Sequence, residues 1–242
     1  MKIRATCQEC SFGPLSDNKL KIGIVTIDQK GLYHFKCDKG HNNLFQMQAF
    51  PFELLFESGL CAIKEGFYME SILSLTASLE NFYEFFINIS LRINLLPNDV
   101  VNSVLKITAL QSERRLGAFI CLYSFIYKRY PSSILDTNTV TFRNKVVHKG
   151  HLPNEREALN YGEKVYNAIR KEYCELLNSY NDIISQYLNE CMVERIKGVD
   201  SHVGTISFPL SISHLHVDEM QTREFNECYD HVKKYYNYTV TV

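Results

Sequence analysis

The stretch that decides the fold is residues 67–93, FYMESILSLTASLENFYEFFINISLRI, which carries an apolar stripe at helical spacing. The stripe residues recur alternately three and four positions apart, at Ile72, Leu75, Leu79, Phe82, Phe86, Ile89 and Ile93. That spacing keeps them on one face of an α-helix. The stretch therefore predicts a long helix that faces the core of a mainly helical protein.

Helical patterning continues on both sides of this stretch. A helix over 52–64 precedes it, a third begins near Asp99, and a fourth covers 117–130 and ends before Pro131. A short helix follows a polar loop at 131–139, with Thr139 or Thr141 as its N-cap and Gly150 at its C-terminal end. We therefore predict a body of packed helices over residues 51–197.

The last helix of this body is predicted to be the longest. Pro153 and Asn154 open it, and Glu157 stands where the partner in a capping box belongs. It extends to about Lys197, before Gly198. A helix of about forty residues is much longer than the average helix of a globular protein, so we expect it to bend or protrude.

Residues 1–50 form a separate, β-rich module. Residues 21–27 and 32–35 read as strands, with a turn at 28–31 between them. Cys7-x₂-Cys10 precedes this hairpin and Cys37-x₃-His41 follows it, and thiolates and imidazole at such spacing can close a tetrahedron around zinc. Four protein ligands make a structural site, and a module this small needs such a staple. The alternative is a reduced Cys-x-x-Cys on a hairpin docked to the main domain.

Residues 198–242 form a mixed C-terminal extension. Its predicted elements are a strand pair or extended arm over 203–212, a helix over 218–236 and a terminal strand over 238–242. The predicted fold is thus mainly α: an antiparallel helical bundle over 51–197, a zinc-ribbon-like module over 1–50, and this extension.

Composition limits the classes of function. The 242 residues carry a formal net charge of −1, so any contact with nucleic acid has to come from a local patch. We predict no signal peptide, because polar residues and Cys7 follow the first residues, and no membrane span. The predicted location is the cytoplasm, where the eight cysteines are expected to be thiols or metal ligands rather than disulfides.

The local basic patch also carries the residues of a candidate active site. Arg143, Asn144 and His148 lie within two helical turns, together with Lys145 and Lys149. A guanidinium grips phosphate through its planar fork, and an imidazole exchanges protons near neutral pH. These groups suffice to cut RNA without a metal, and the two lysines are predicted to contact the RNA backbone. The alternative is a helix whose valines face the core and whose basic residues face water.

The pattern Arg143-Asn144-x-x-x-His148 on a late helix of a bundle resembles the active motif of the HEPN superfamily, the higher eukaryotes and prokaryotes nucleotide-binding domain. Two other segments are similar to family features. Residues 66–80 resemble the early helix that carries a glutamate, here Glu80, and residues 148–153 resemble the stretch after the histidine, where a proline often opens the last helix. The resemblance covers roughly residues 51–190.

The resemblance implies a metal-independent endoribonuclease of the toxin or antiviral-defence type, acting as a homodimer with one composite cleft. It also implies an antitoxin or a nucleotidyltransferase as a partner. Glu80 is expected to hold Arg143 or His148, or else to lie on the surface or form an ion pair with Arg114 or Arg115. Two other functions stay open: a non-catalytic HEPN-like protein that binds nucleotide or a partner, and a zinc-dependent RNA-binding adaptor.

Overall fold

The structure is a computed structural model that describes residues 3–12, 22–27, 31–206, 210–212 and 222–236. The chain divides into two compact units. Met1–Ala49 and Gln186–Phe208 form the first unit, and Phe50–Ser185 and Pro209–Val242 form the second unit. This division differs from the three predicted segments, because the predicted C-terminal extension is shared between the units.

The fold is mainly helical with a small sheet, as predicted. The strands are β1 (Ile3–Thr6), β2 (Ile22–Ile27), β3 (Leu32–Lys36), β4 (Asn42–Met47) and β5 (Gly204–Ile206). The helices are α1 (Gln8–Phe12), α2 (Pro51–Lys64), α3 (Tyr68–Ile93), α4 (Asn98–Thr108), α5 (Ser112–Tyr127), α6 (Thr137–Lys149), α7 (Glu155–Ile196) and α8 (Phe225–Tyr235). None of the helices within the described ranges combines the length and the apolar character that crossing a membrane requires.

The sheet of the first unit has the strand order β1-β2-β3-β4-β5. The first four strands pair antiparallel, and β5 pairs parallel with β4, with Phe45 opposite Gly204. The end of α7 belongs to this unit as well, because the Arg195 guanidinium donates hydrogen bonds to the carbonyls of Met47 and Ala49, at 2.7 and 3.0 Å. These contacts explain why residues 186–208 join the N-terminal module.

The core of the second unit is aromatic where α2, α3 and α7 meet. The centroid of the Phe52 ring lies 5.4 Å from that of Phe82 and 5.2 Å from those of Phe85 and Tyr173. The contacts with Phe82 and Tyr173 are edge to face. The predicted stripe on α3 is buried except at Ile93. Helices α2 and α3 approach closely at Gly59, where an added Cβ would come within 2.6 Å of the Leu75 side chain.

Two helix starts differ from the prediction. Helix α5 begins at Ser112 rather than 117, since Gly117 is accommodated inside the helix. Helix α6 is capped by Asp136 rather than by Thr139 or Thr141. Helix α8 covers Phe225–Tyr235 of the helix predicted over 218–236, with Glu224 and Glu227 forming a capping box at its start, and residues 218–221 of that prediction lie outside the described residues. The predicted terminal strand at 238–242 and most of the predicted turn at 28–31 lie outside the described residues.

Side-chain caps fix the first residues of α6 and α7, and a glycine ends α6. The Asp136 carboxylate accepts hydrogen bonds from the Thr139 backbone N–H at 2.9 Å and its hydroxyl at 2.7 Å. Gly150 ends α6 with a left-handed φ of 69°. Asn154 and Glu157 form the predicted capping box at the start of α7. The predicted bend is present, because Tyr180 interrupts α7 with φ −142° and ψ 31°.

The Asp136 cap makes a testable contribution to stability. Its hydrogen bonds with Thr139 and its ion pair with Lys164 (3.0 Å) lower the pKa of the carboxyl group from its ordinary value of 3.8. A lowered pKa in the folded state stabilises the protein above the unfolded-state pKa, and this stabilisation is lost as the pH falls through the folded-state value. We expect Asp136→Ala to lower the thermal midpoint at pH 7, and the deficit to shrink below about pH 4. Asp182→Ala, an exposed acid on α7, is the control; an equal deficit at all pH values would contradict the prediction.

Candidate functional site

Four metal-binding side chains converge in the first unit. Cys7 follows β1, Cys10 lies in α1, and Cys37 and His41 flank the turn between β3 and β4. Their ligand atoms all lie within 4.8 Å of one another, with the three thiols buried and the imidazole half-buried. The prediction that these four residues come together is confirmed, and the cluster can bind a metal ion.

The local backbone explains how the second pair of ligands is presented. Strand β3 ends one residue before Cys37, and β4 begins one residue after His41. The Cys37 N–H donates to the His41 carbonyl at 3.1 Å, and the Gly40 N–H donates to the Cys37 carbonyl at 2.8 Å. Gly40 has a φ of 86°, a conformation that glycine adopts without strain. The tight turn therefore points both side chains toward α1.

Asn43 joins the two pairs of ligands. Its buried side chain donates hydrogen bonds from Nδ2 to Cys7 Sγ at 3.4 Å and to the His41 carbonyl at 3.2 Å. Its Oδ1 accepts a hydrogen bond from the Gln8 N–H at 3.1 Å. Sequence reasoning missed this residue, although its place two positions after a candidate histidine ligand was a usable signal. Partners of this kind orient the ligands of metal sites.

The histidine of the cluster is oriented from its other side. His41 Nδ1 faces the sulfurs, 3.3 Å from Cys10 Sγ and 3.6 Å from Cys7 Sγ. Its Nε2 lies 3.5 Å from a carboxylate oxygen of Glu9. A carboxylate at the far nitrogen favours the tautomer that leaves Nδ1 as the metal-facing lone pair. Glu9 was also missed, although it lies inside the Cys-x-x-Cys.

The thiols differ in acidity within the cluster. Burial raises the pKa of Cys10 to about 11, and the neighbouring sulfurs of Cys7 and Cys37 add to the rise. Burial also opposes ionisation of Cys7, but hydrogen bonds from the Cys10 backbone and Asn43 outweigh it and lower the pKa of that thiol. A divalent cation favours the thiolate form of all three cysteine ligands. Metal binding is therefore expected to release protons from this cluster.

Asn43→Ala is expected to weaken metal binding without removing a ligand. Loss of a hydrogen-bond partner around a metal site typically costs about 10–100-fold in affinity, and Asn43 is buried. The measurement is competition for Zn²⁺ with a chromophoric chelator. Asn42→Ala, at the exposed neighbouring position, is the matched control. Equal affinities for the Asn43 variant and the parent would show that the amide plays no part in the site.

The candidate catalytic residues lie on α6 in the second unit. Arg143 is half-buried and lines a cavity of about 160 Å³, together with Glu80, Tyr83 and Tyr161. His148 is exposed near the end of the helix and does not line this cavity. Within one copy of the chain, His148 therefore does not line the cavity that holds Arg143.

The candidate catalytic side chains of α6 have no polar partners among the described residues. Within the part of the chain that the structure describes, the side chains of Arg143, Asn144 and His148 form no hydrogen bond or ion pair. Lys145 and Lys149 are exposed. The Arg143 guanidinium therefore has no direct ion-pair partner among the described residues, although the carboxylates of Glu80 and Glu113 line the same cavity.

Glu80 lies at the same cavity as Arg143 but pairs with another cation. Its carboxylate is 3.5 Å from the Arg115 guanidinium, which also binds Glu84 at 3.1 Å. This is the ion pair with α5 that was one alternative for Glu80, rather than a contact that holds Arg143 or His148. Glu80 thus lines the cavity and forms its ion pair with Arg115 rather than with Arg143.

Comparison with known proteins does not add to this geometry. No protein-family model, no curated protein and no solved structure matches the chain. The function has to be inferred from the chain's own residues.

Proposed function

We propose that the protein is a metal-independent endoribonuclease of the HEPN type, which acts in the cytoplasm as a toxin or an antiviral effector. The observation that carries the proposal is the surface of α6. It carries the Arg143 guanidinium, which has no direct ion-pair partner among the described residues, and the exposed side chains of His148, Lys145 and Lys149. Residues 143–151 contain no acid, so this surface attracts a phosphodiester backbone.

The chemistry requires a base, an acid and a site for developing negative charge. An imidazole at His148 takes the proton of the ribose 2′-hydroxyl, whose oxygen attacks the phosphorus. The 5′-oxygen leaves with a proton from a second imidazole, which gives a 2′,3′-cyclic phosphate and a free 5′-hydroxyl. Arg143 stabilises the charge on the phosphorane, and Asn144 orients the imidazole or a phosphate oxygen.

A homodimer supplies what one chain lacks. Acid and base functions need two imidazoles, and each chain offers one without an acidic partner, that of His148, because the His151 ring lies 3.3 Å from the Glu157 carboxylate. The separation of Arg143 and His148 within one copy also fits a cleft in which groups from two copies meet, as the HEPN resemblance implies. The same separation favours a second candidate, a non-catalytic protein that binds RNA, nucleotide, an antitoxin or a nucleotidyltransferase through α6.

The metal ion of the first unit is proposed to be a structural Zn²⁺. Zinc bonds of about 2.3 Å to sulfur and 2.0–2.1 Å to nitrogen place tetrahedral ligands about 3.5–3.8 Å apart. The distances of 3.9 Å between the Cys10 and Cys37 sulfurs and of 3.3 and 3.6 Å from His41 Nδ1 to the Cys10 and Cys7 sulfurs are close to these values, and all four ligand atoms lie within 4.8 Å of one another. Four protein ligands leave no position for substrate, so zinc holds the module together and takes no part in cleavage.

Cleavage without added metal tests the proposal. Purified dimer is expected to cut single-stranded RNA in buffer without divalent cations, and to continue during a brief exposure to EDTA. Zinc content is measured in the same samples, so that loss of the structural ion is not mistaken for loss of a catalytic one. Products ending in 2′,3′-cyclic phosphate support the mechanism. RNA that is bound but never cut would favour the non-catalytic candidate, and a strict need for Mg²⁺ would overturn the mechanism.

A further inference from the structure

A second cleft lies on the other side of α6, between this helix and α7. It has a volume of about 260 Å³. Asn138, Thr139 and Phe142 line it from α6, and Glu157, Asn160, Tyr161 and Lys164 line it from α7. The functions proposed above use none of these residues. The cleft is smaller than the pockets of about 300–1,000 Å³ that hold drug-sized ligands, so it suits a single small planar group.

The charged residues of the cleft are already satisfied. Lys164 Nζ lies 3.0 Å from the Asp136 carboxylate and 2.7 Å from the Thr139 hydroxyl. The Glu157 carboxylate accepts from the Asn154 N–H at 2.9 Å and lies 3.3 Å from the His151 ring. Because the cation and the carboxylate both have partners, the cleft favours an uncharged ligand over a phosphate or an ammonium group.

Two amides in the cleft remain available. Asn138 and Asn160 are exposed, and neither side chain forms a hydrogen bond within the described ranges. Each amide offers two donor hydrogens and one acceptor oxygen. Together they present, across a narrow cleft, the donors and acceptors that read the edge of a nucleobase.

An aromatic ring, that of Phe142, lines the same cleft as these amides. The half-buried Phe142 ring is held by packing, with its centroid 6.0 Å from that of Tyr161 and 5.9 Å from that of His151. An aromatic side chain beside unpaired amides is the combination by which proteins hold splayed-out bases of single-stranded RNA. Phe142 directly precedes Arg143, so a base bound here lies one residue along α6 from the guanidinium.

We propose that this cleft binds one unpaired nucleobase of the RNA substrate, with Asn138 and Asn160 selecting the base. The inference rests on the proposed function and adds to it, since it makes the protein selective for one nucleotide near the cut. The cleft recognises the neutral base, while Arg143, Lys145 and Lys149 are proposed to bind the phosphate.

Binding of uncleavable RNA tests the cleft. Fluorescently labelled 2′-O-methyl oligonucleotides, one for each of the four bases, are titrated with the full-length protein and followed by anisotropy. The parent is expected to prefer one base by about tenfold, the discrimination typical of a good pair of hydrogen bonds. Asn160→Ala and Asn138→Ala are each expected to reduce that preference severalfold and to leave affinity for the other oligonucleotides unchanged. Asn167→Ala, an exposed asparagine two turns along α7 and outside the cleft, is the matched control.

The outcomes separate this inference from the nuclease proposal. A parent that binds all four oligonucleotides equally, or binds none, overturns base selection in the cleft, and so do variants at Asn138 and Asn160 that keep the preference. A base preference that depends on both asparagines, in a protein that never cuts RNA, would support base binding in the cleft and would contradict the nuclease proposal. RNA cleavage by a protein that shows no base preference would support the nuclease proposal and would contradict base selection in the cleft.

Discussion

Cys37→Ser is expected to abolish stoichiometric zinc binding and to unfold the first unit while leaving the second unit folded. Binding of a structural zinc is worth about 10–16 kcal/mol at neutral pH, and that free energy is folding free energy where no site exists in the unfolded chain. Cys37 is buried among the other ligands and directly follows β3. Its loss opens the site at the turn that connects two strands of a small sheet.

The measurements are zinc content per chain and amide hydrogen exchange along β3 and β4. Cys121→Ser is the control, because Cys121 is exposed on α5 and far from any candidate ligand in sequence. Removal of metal from the parent by prolonged chelation is expected to reproduce the exchange pattern of the Cys37 variant. One zinc per chain in that variant, or unchanged exchange in both strands, would show that the cluster does not stabilise the unit through a metal.

Arg143→Ala and His148→Ala are expected to have the second largest effect, each lowering the rate of RNA cleavage by about 10²–10⁴-fold. The guanidinium is lost at the point where negative charge develops, and the imidazole is lost as the proton carrier. Arg143→Lys retains a cation but not the planar fork, so we expect partial recovery only. The rate is measured on a labelled single-stranded RNA at saturating concentration.

Two comparisons make this result specific. Arg114→Ala removes an exposed arginine from α5 and is expected to cut RNA at the parent rate. If two copies build the cleft, cleavage per chain also falls steeply on dilution below the dimer dissociation constant. Full activity in both the Arg143 and the His148 variant would remove the proposed active site, and activity independent of concentration would remove the composite cleft.

Features that depend on local sequence could be predicted. The stripe on α3 has a helical period and is buried almost throughout, because a long apolar face has to be covered. The four metal ligands were recognisable since their spacing and a tight glycine turn bring them together over a short length of chain. The capping box at the start of α7 likewise depends on two residues, Asn154 and Glu157, that are only three positions apart.

Features that depend on distant contacts could not be predicted. Strand β5 lies within the strand pair or extended arm predicted over 203–212, but no local pattern indicates that it pairs with β4, which is far away in the sequence. The partner of Glu80 was ambiguous, because several arginines were available and only packing places Arg115 beside it. The cap of α6 was assigned to a threonine because both threonines and Asp136 are good caps, and geometry selected the aspartate.

The pairing of β5 with β4 has a consequence for synthesis of the protein. Strand β4 ends at Met47 and β5 begins at Gly204. At about 5–20 residues per second, a ribosome needs roughly 8–30 s to make the intervening chain. During that interval the nascent N-terminal region exposes an open strand edge, which is prone to pair with other chains. Premature termination before residue 204 makes this exposure permanent, so such fragments are expected to aggregate or to be degraded.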